Sequence, residues 1–224
     1  MRVFVTGATG YIGSAVVREL VHAGHKVVGL TRSGSSAAML KEVGVEIHHG
    51  ALDDLDSLPS GAASENEVKA LAKRGARTSI VSLAPFVHGE GDKGFVPRLI
   101  NIARDKGVSA YIGDGSNHWT AVHRLDAAHL FRLALEKAPA GSRLDGVADE
   151  GVPFRDIASV IGKHLNLPVV SISRDEAESH FGFLGIVAAL DIPRSSVQTQ
   201  ELLGWHPLHR GLMADLEQGH YFNS

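Results

Sequence analysis

The chain has 224 residues, 44% hydrophobic and 21% charged, with a net charge of −3 and no cysteine. That length suits one large domain or a domain with a small lobe. The interspersed charge argues against a nucleic-acid or membrane surface, no apolar run is long enough to span a bilayer, and disulfide and thiolate chemistry are excluded. Met1-Arg2 runs straight into an apolar strand without a signal-peptide pattern, so a cytoplasmic protein is expected.

Residues 3–5 form a short apolar run that ends in a glycine-rich turn, which reads as a buried parallel strand. Residues 12–23 follow with Ala15, Val16, Glu19 and Leu20 at helical spacing, and Gly24 stops them. A second strand is expected over 26–31, a short helix over 37–43 stopped by Gly44, and a third strand over 45–49. Strand, helix, strand, helix, strand is one mononucleotide-binding half of a doubly wound sheet. Further on, helices are expected over 65–74, 95–106, 125–137, 153–165 and 176–190, with extended pieces at 78–83, 110–112 and 169–172. Trp205 and Pro207 are expected to anchor the tail.

The strongest motif is Gly7-Ala8-Thr9-Gly10-Tyr11-Ile12-Gly13, which leaves a strand and opens a helix. Gly7 permits the turn, Gly10 lets the backbone approach a pyrophosphate, and Gly13 lets the helix pack closely on the sheet. The N–H groups of Tyr11 and Ile12 and the positive helix end face the phosphates. A turn selected only for packing would not need three glycines at this spacing. The end of the second strand selects the cofactor. An acid there would bind the ribose 2′-OH of NAD, but the residues are Thr31-Arg32-Ser33. Arg32 either pairs with the 2′-phosphate of NADP or is a solvated surface arginine. Leu52 and Asp53, after the third strand, suit contact with the adenine ring, and Asp53 equally suits a helix N-cap.

With these residues in place, the N-terminal motif resembles the short-chain dehydrogenase/reductase superfamily, and more narrowly its extended or atypical NAD-dependent epimerase/dehydratase group. Pro85, Val87, His88 and Gly89 resemble that group's loop bordering the nicotinamide, and Val122, His123 and Asp126 resemble its Val-His-x-x-Asp stretch. The resemblance covers nearly all the chain. It implies a Rossmann-like doubly wound parallel sheet over residues 1–145 that binds NADP or NAD, with NADP favoured through Arg32, and a small substrate lobe over 146–224. It also implies a small carbonyl, hydroxyl or sugar-like substrate handled by an oxidoreductase or epimerase. His88, Trp119 and His123 fall in segments that the group places near the substrate. The two histidines read better as packing or surface residues, and Trp119 reads better as core. A homodimer is a further expectation.

The group's Tyr-x-x-x-Lys is missing. Four residues beyond Tyr11 stands Ala15, four beyond Tyr111 stands Gly115, and only three residues follow Tyr221. Too few residues separate Gly50 from the helix expected at Glu65 for even one strand–helix–strand unit, which takes roughly 30. The sheet is therefore expected to be shortened in its middle by one or two units, with the junction at about 57–66. In the strand order 3-2-1-4-5-6 this bares one edge of the first strand. Either residues 78–83 slide in beside it, or another chain does, or the sheet is unstable. A catalytically inactive dinucleotide-binding relative is the alternative to an active enzyme. No metal site is expected, because the pairs His22/His25 and His48/His49 lack a third ligand.

Overall fold

The computed structural model describes residues 1–50 and 74–223. The first three strands, β1 (Arg2–Val5), β2 (Lys26–Thr31) and β3 (Glu46–His49), form a parallel sheet in the order β1-β2-β3. Val3 pairs with Val27, and Gly29 with Ile47. Between them run α1 (Tyr11–His22) and α2 (Gly34–Glu42). α1 buries Ala15, Val17 and Leu20, and with Val27, Leu40 and Val45 these form one apolar cluster against the sheet. α2 starts three residues before the apolar pattern does, because the Ser33 side chain accepts a hydrogen bond from the Ser36 N–H at 3.3 Å.

Then come β4 (Ser79–Leu83), β5 (Phe86–His88), α3 (Phe95–Lys106), β6 (Ser109–Ile112), β7 (His118–His123), α4 (Arg124–Lys137), β8 (Ser142–Gly146), β9 (Asp149–Pro153), α5 (Phe154–Leu165) and β10 (Val169–Ile172). The helical pattern at 176–190 is two short helices, α6 (Ala177–Phe181) and α7 (Leu184–Ala188), broken at Gly182. The tail carries α8 (Val197–Leu203), α9 (Leu212–Leu216) and a 3-10 turn (His220–Phe222). No described helix is long and apolar enough to cross a membrane.

β4 does not slide in beside β1. It pairs with β8, so among the described residues β1 stands at the edge of its sheet. Burial agrees: β2 is buried at every position after Lys26, whereas Val3, Phe4 and Val5 are half-buried. The helix expected over 65–74 and the junction at 57–66 lie outside the described residues, apart from Arg74.

The chain divides into two compact units that interleave in sequence. The first is Met1–Ser82, Arg124–Leu144 and Thr199–His206; the second is Leu83–His123, Asp145–Gln198 and Pro207–Ser224. In the first unit α4 lies along α1. Arg132 Nε donates to Glu19 Oε1 at 2.7 Å, and His25 Nε2 lies 2.9 Å from Glu136 Oε1. Trp205, fully buried, donates its indole N–H to the Asp126 carbonyl at 3.1 Å. In the second unit β5-β7-β9 and the β6-β10 pair accompany a core built on Phe86, Trp119, Phe154 and Ile157.

Trp205→Ala should destabilise the chain by about 3–5 kcal/mol. Trp205→Phe, which loses mainly the hydrogen bond, should cost about 1 kcal/mol. Urea unfolding followed by circular dichroism distinguishes the two.

Candidate functional site

β1 delivers the chain to a turn that the glycines alone permit. Gly7 sits at φ +64°, a region where a side chain is strained. Its carbonyl accepts the Gly10 N–H at 2.9 Å. Gly13 lies against the same carbonyl: a Cβ at Gly13 would fall 2.0 Å from the Gly7 oxygen and 2.8 Å from its carbon. Strand end and helix start thus meet at a separation that only a hydrogen atom allows.

Gly10 caps α1 in extended conformation and offers no side-chain cap. The N–H groups of Ile12 and Gly13 fall in the first turn, where helix geometry supplies no acceptor. No acidic residue occupies that turn, so the helix end keeps its positive partial charge. Arg124 adds to it, with its guanidinium carbon 5.1 Å from the centre of the Tyr11 ring. Thr9 is exposed in the turn, and Ala8, fully buried, anchors it. Backbone donors, a positive helix end and room for a close approach are the chemistry of a phosphate site.

Arg32 follows the buried Thr31 at the end of β2. Its backbone is held on both sides, by Thr31 Oγ1 donating to the Ser33 carbonyl at 3.3 Å and by the Ser33 cap of α2. The residue itself is exposed and makes no ion pair with a described carboxylate. The first unit thus holds the glycine turn and Arg32. Leu52 and Asp53 lie outside the described residues.

The second unit holds the remaining candidates. Pro85 is half-buried immediately before β5. Trp119 is core: its ring centre lies 4.4 Å from Phe86, 5.6 Å from Phe95 and 5.8 Å from Phe154, and its N–H donates to the Leu190 carbonyl at 3.1 Å. His88 and His123 pair in register across β5 and β7, with ring centres 5.3 Å apart and edge-on. His123 also stacks on His209 at 4.7 Å.

His88 is wholly buried, and its Nδ1 lies 2.9 Å from Asp215 Oδ2. With Asp215 ionised, Nδ1 carries the proton and donates. Tyr221 closes the cluster: its hydroxyl accepts the Gly89 N–H at 2.9 Å and lies 3.4 Å from Asp215 Oδ2. Burial is the largest single influence on Asp215 and would raise its carboxyl. The His88 hydrogen bond, with the charges of His88, His220 and His123, outweighs it and holds the carboxyl below its ordinary value. Asp92 beside them goes the other way, raised by burial against the opposing Gly94 N–H and His88. Neither Asp215 nor Tyr221 stands out in the sequence as a partner of His88. They lie 127 and 133 positions away, and no local spacing announces the contact.

Because the folded-state carboxyl of Asp215 is depressed, its contribution is present above the unfolded value of about 3.9 and is lost as pH falls through the folded value. Asp215→Asn should cost about 1–3 kcal/mol at pH 7 and should flatten the acid limb of a stability–pH profile. In the first unit, Gly13→Ala should separate the turn from α1 and abolish any nucleotide-induced rise in melting temperature, with the far-ultraviolet spectrum retained.

The model of the NmrA-like family matches residues 1–113. An uncharacterized protein of Schizosaccharomyces pombe is 43% identical over 295 residues, covering 99% of this chain and 100% of its own. Another, of Saccharomyces cerevisiae, is 38% identical over 298 residues and is covered in full, as is this chain. The alignment of 295 covers 99% of this chain's 224 residues, so at least 71 of its positions have no residue here. Among solved structures, a nucleoside-diphosphate-sugar epimerase from Pseudomonas aeruginosa matches with a TM-score of 0.74 at 16% identity, over 100% of this chain and 99% of its own. The dTDP-glucose 4,6-dehydratase DesIV from Streptomyces venezuelae, solved with NAD and TYD bound, matches with a TM-score of 0.66 at 16% identity, over 99% and 98%. At such identity these two establish the Rossmann-like fold. The family match establishes the rest: the chain belongs to the NmrA-like family.

Proposed function

We propose that this chain binds NAD(P) on the turn formed by Gly7, Thr9, Gly10, Tyr11, Ile12 and Gly13, with Arg32 favouring NADP. By descent its chemistry is that of an oxidoreductase or epimerase acting on a small carbonyl, hydroxyl or sugar-like substrate. The observation that carries the reading is the start of α1, which Gly10 caps without a side chain and whose first turn holds no acidic residue, so that backbone N–H groups and the positive helix end can meet a pyrophosphate. The residues fit the group. The Ile12 and Gly13 N–H groups supply donors, the start of α1 supplies positive potential, and Arg32 supplies a planar fork for a 2′-phosphate. A bound dinucleotide supplies hydride chemistry. The NAD in the DesIV structure supports the choice of cofactor class.

One observation favours a second reading, a dinucleotide-binding relative without turnover. No tyrosine of the chain has a lysine four residues on, so the family's paired proton donor is not available in its usual form. A histidine in the His88 or His123 segment would have to supply a proton instead.

Thermal unfolding with NADPH, NADH and ATP tests the binding. A ligand at a hundred times its dissociation constant adds about 2.7 kcal/mol to stability. NADPH should raise the melting temperature more than NADH, and Arg32→Ala should weaken NADPH about 10-fold while sparing NADH. Failure of every nucleotide to move the transition would sink the proposal. Turnover of aldehydes or ketones with NADPH would select the enzyme; binding without turnover would select the second reading.

A further inference from the structure

β6 and β10 run parallel in the second unit, with Ile112 opposite Ile172 at their carboxyl ends. The Gly113 N–H donates to the Ile172 carbonyl at 2.9 Å and closes the ladder. Asp114 and Arg174 follow, each two residues beyond that last pair. Both leave the carboxyl end of a parallel pair, the end outside which ligand crevices of α/β sheets lie. They line a cavity of about 360 Å³ together with Asn117, His118 and Asp191. That volume falls within the roughly 300–1,000 Å³ of small-molecule sites.

The opposite charges around this cavity do not neutralise one another. The Arg174 guanidinium makes no hydrogen bond or ion pair with a described residue. Asp114 is held through one oxygen, Oδ1, which accepts the Ser116 N–H at 3.0 Å and the Ser116 hydroxyl at 2.7 Å. Those bonds, the backbone one most, keep its carboxyl below its ordinary value. Asp191 is also held through Oδ1, which accepts the His118 N–H at 2.7 Å. Among the described residues, Oδ2 of each carboxylate has no hydrogen-bond partner. Asn117 Nδ2 donates to the Ala188 and Leu190 carbonyls at 2.9 and 3.0 Å, so its Oδ1 remains an acceptor.

We infer that this cavity binds a small zwitterion of the α-amino acid class, with its carboxylate on Arg174 and its ammonium on Asp191 and Asp114. The unpaired guanidinium is a planar fork that a carboxylate matches with two hydrogen bonds. The two free carboxylate oxygens and the Asn117 oxygen are acceptors for the three N–H donors of an ammonium. A polyphosphate would set its charge against both carboxylates, and a neutral sugar would leave the charges unmatched. An apolar ligand would meet mainly charged and polar groups, with Ile112 and Ala189 alone to pack against among the described lining. Every lining residue belongs to the second unit, so this site stands or falls apart from dinucleotide binding.

The probes are the proteinogenic amino acids, titrated singly at millimolar concentration into the isotope-labelled chain. Chemical shifts of the Ser116, His118 and Ala189 amides read the cavity. At least one amino acid should move these amides saturably. Its des-amino and its decarboxylated analogues should each bind about 10-fold more weakly or worse. Arg174 is exposed and unpaired, so Arg174→Gln should keep the melting temperature and its response to NADPH, yet weaken the amino acid about 10-fold or more. Asp191→Asn keeps the acceptor for His118 and removes the charge. It should weaken the amino acid by a similar factor and leave the des-amino analogue unaffected. The inference is overturned if no amino acid moves these amides. It is overturned equally if a des-amino analogue binds as tightly as its parent, or if Arg174→Gln and Asp191→Asn bind unchanged.

Discussion

The contact between Gly13 and the Gly7 carbonyl governs the first unit. It sets the distance and angle at which α1 leaves β1, because neither backbone can withdraw without opening the turn. From that angle follows the face that α1 lays on the sheet, with Ala15, Val17 and Leu20 inward. From it follows also the outer face, where Glu19 meets Arg132 and where His25 reaches Glu136. Each ion pair alone is modest in water. Together they hold α4 along a helix whose position one glycine has already decided. The turn proposed to hold a phosphate thus arises from the same contact that packs the unit.

The described strands form pieces that are internally regular. β1-β2-β3 keeps its parallel register, and β4 joins β8 instead of β1. Among the described residues, β1 has a strand partner on one side alone. In the second unit the polar core is organised differently. A fully buried histidine is tolerated because Asp215 takes its proton donor, and Tyr221 ties both to the Gly89 backbone. Burial alone would disfavour the Asp215 charge; the surrounding histidines reverse that balance.

Much of both units was legible from residue spacing. β2, α3 and β10 have the bounds expected, and β1, α1, β3, α4 and α5 agree to within a residue. These are elements whose apolar periodicity coincides with glycine, proline or capping signals. The short strands β5, β7, β8 and β9 were not read. They have three to six residues each, and β7, HWTAVH, is bounded by histidines rather than turn residues. The single helix expected over 176–190 breaks because its periodicity continues across Gly182 while its backbone does not. Of the candidate residues, the glycine turn and Arg32 were readable because local geometry makes them. The His88 cluster was not, because its members meet only through tertiary packing. The interleaved units were equally hidden: a cut near residue 145 follows the chain, but Trp205 returns to the first unit long after that point.

That return has a consequence for biosynthesis. The glycine turn and the β1-β2-β3 strands leave the ribosome early, yet their unit lacks α4 until residue 137 and Trp205 until much later. At a translation rate of roughly 5–20 residues per second, the wait for Trp205 is on the order of 10 to 40 seconds. During that interval the parallel sheet is held only by contacts close in sequence. The first unit therefore completes its packing only after most of the second unit has been made.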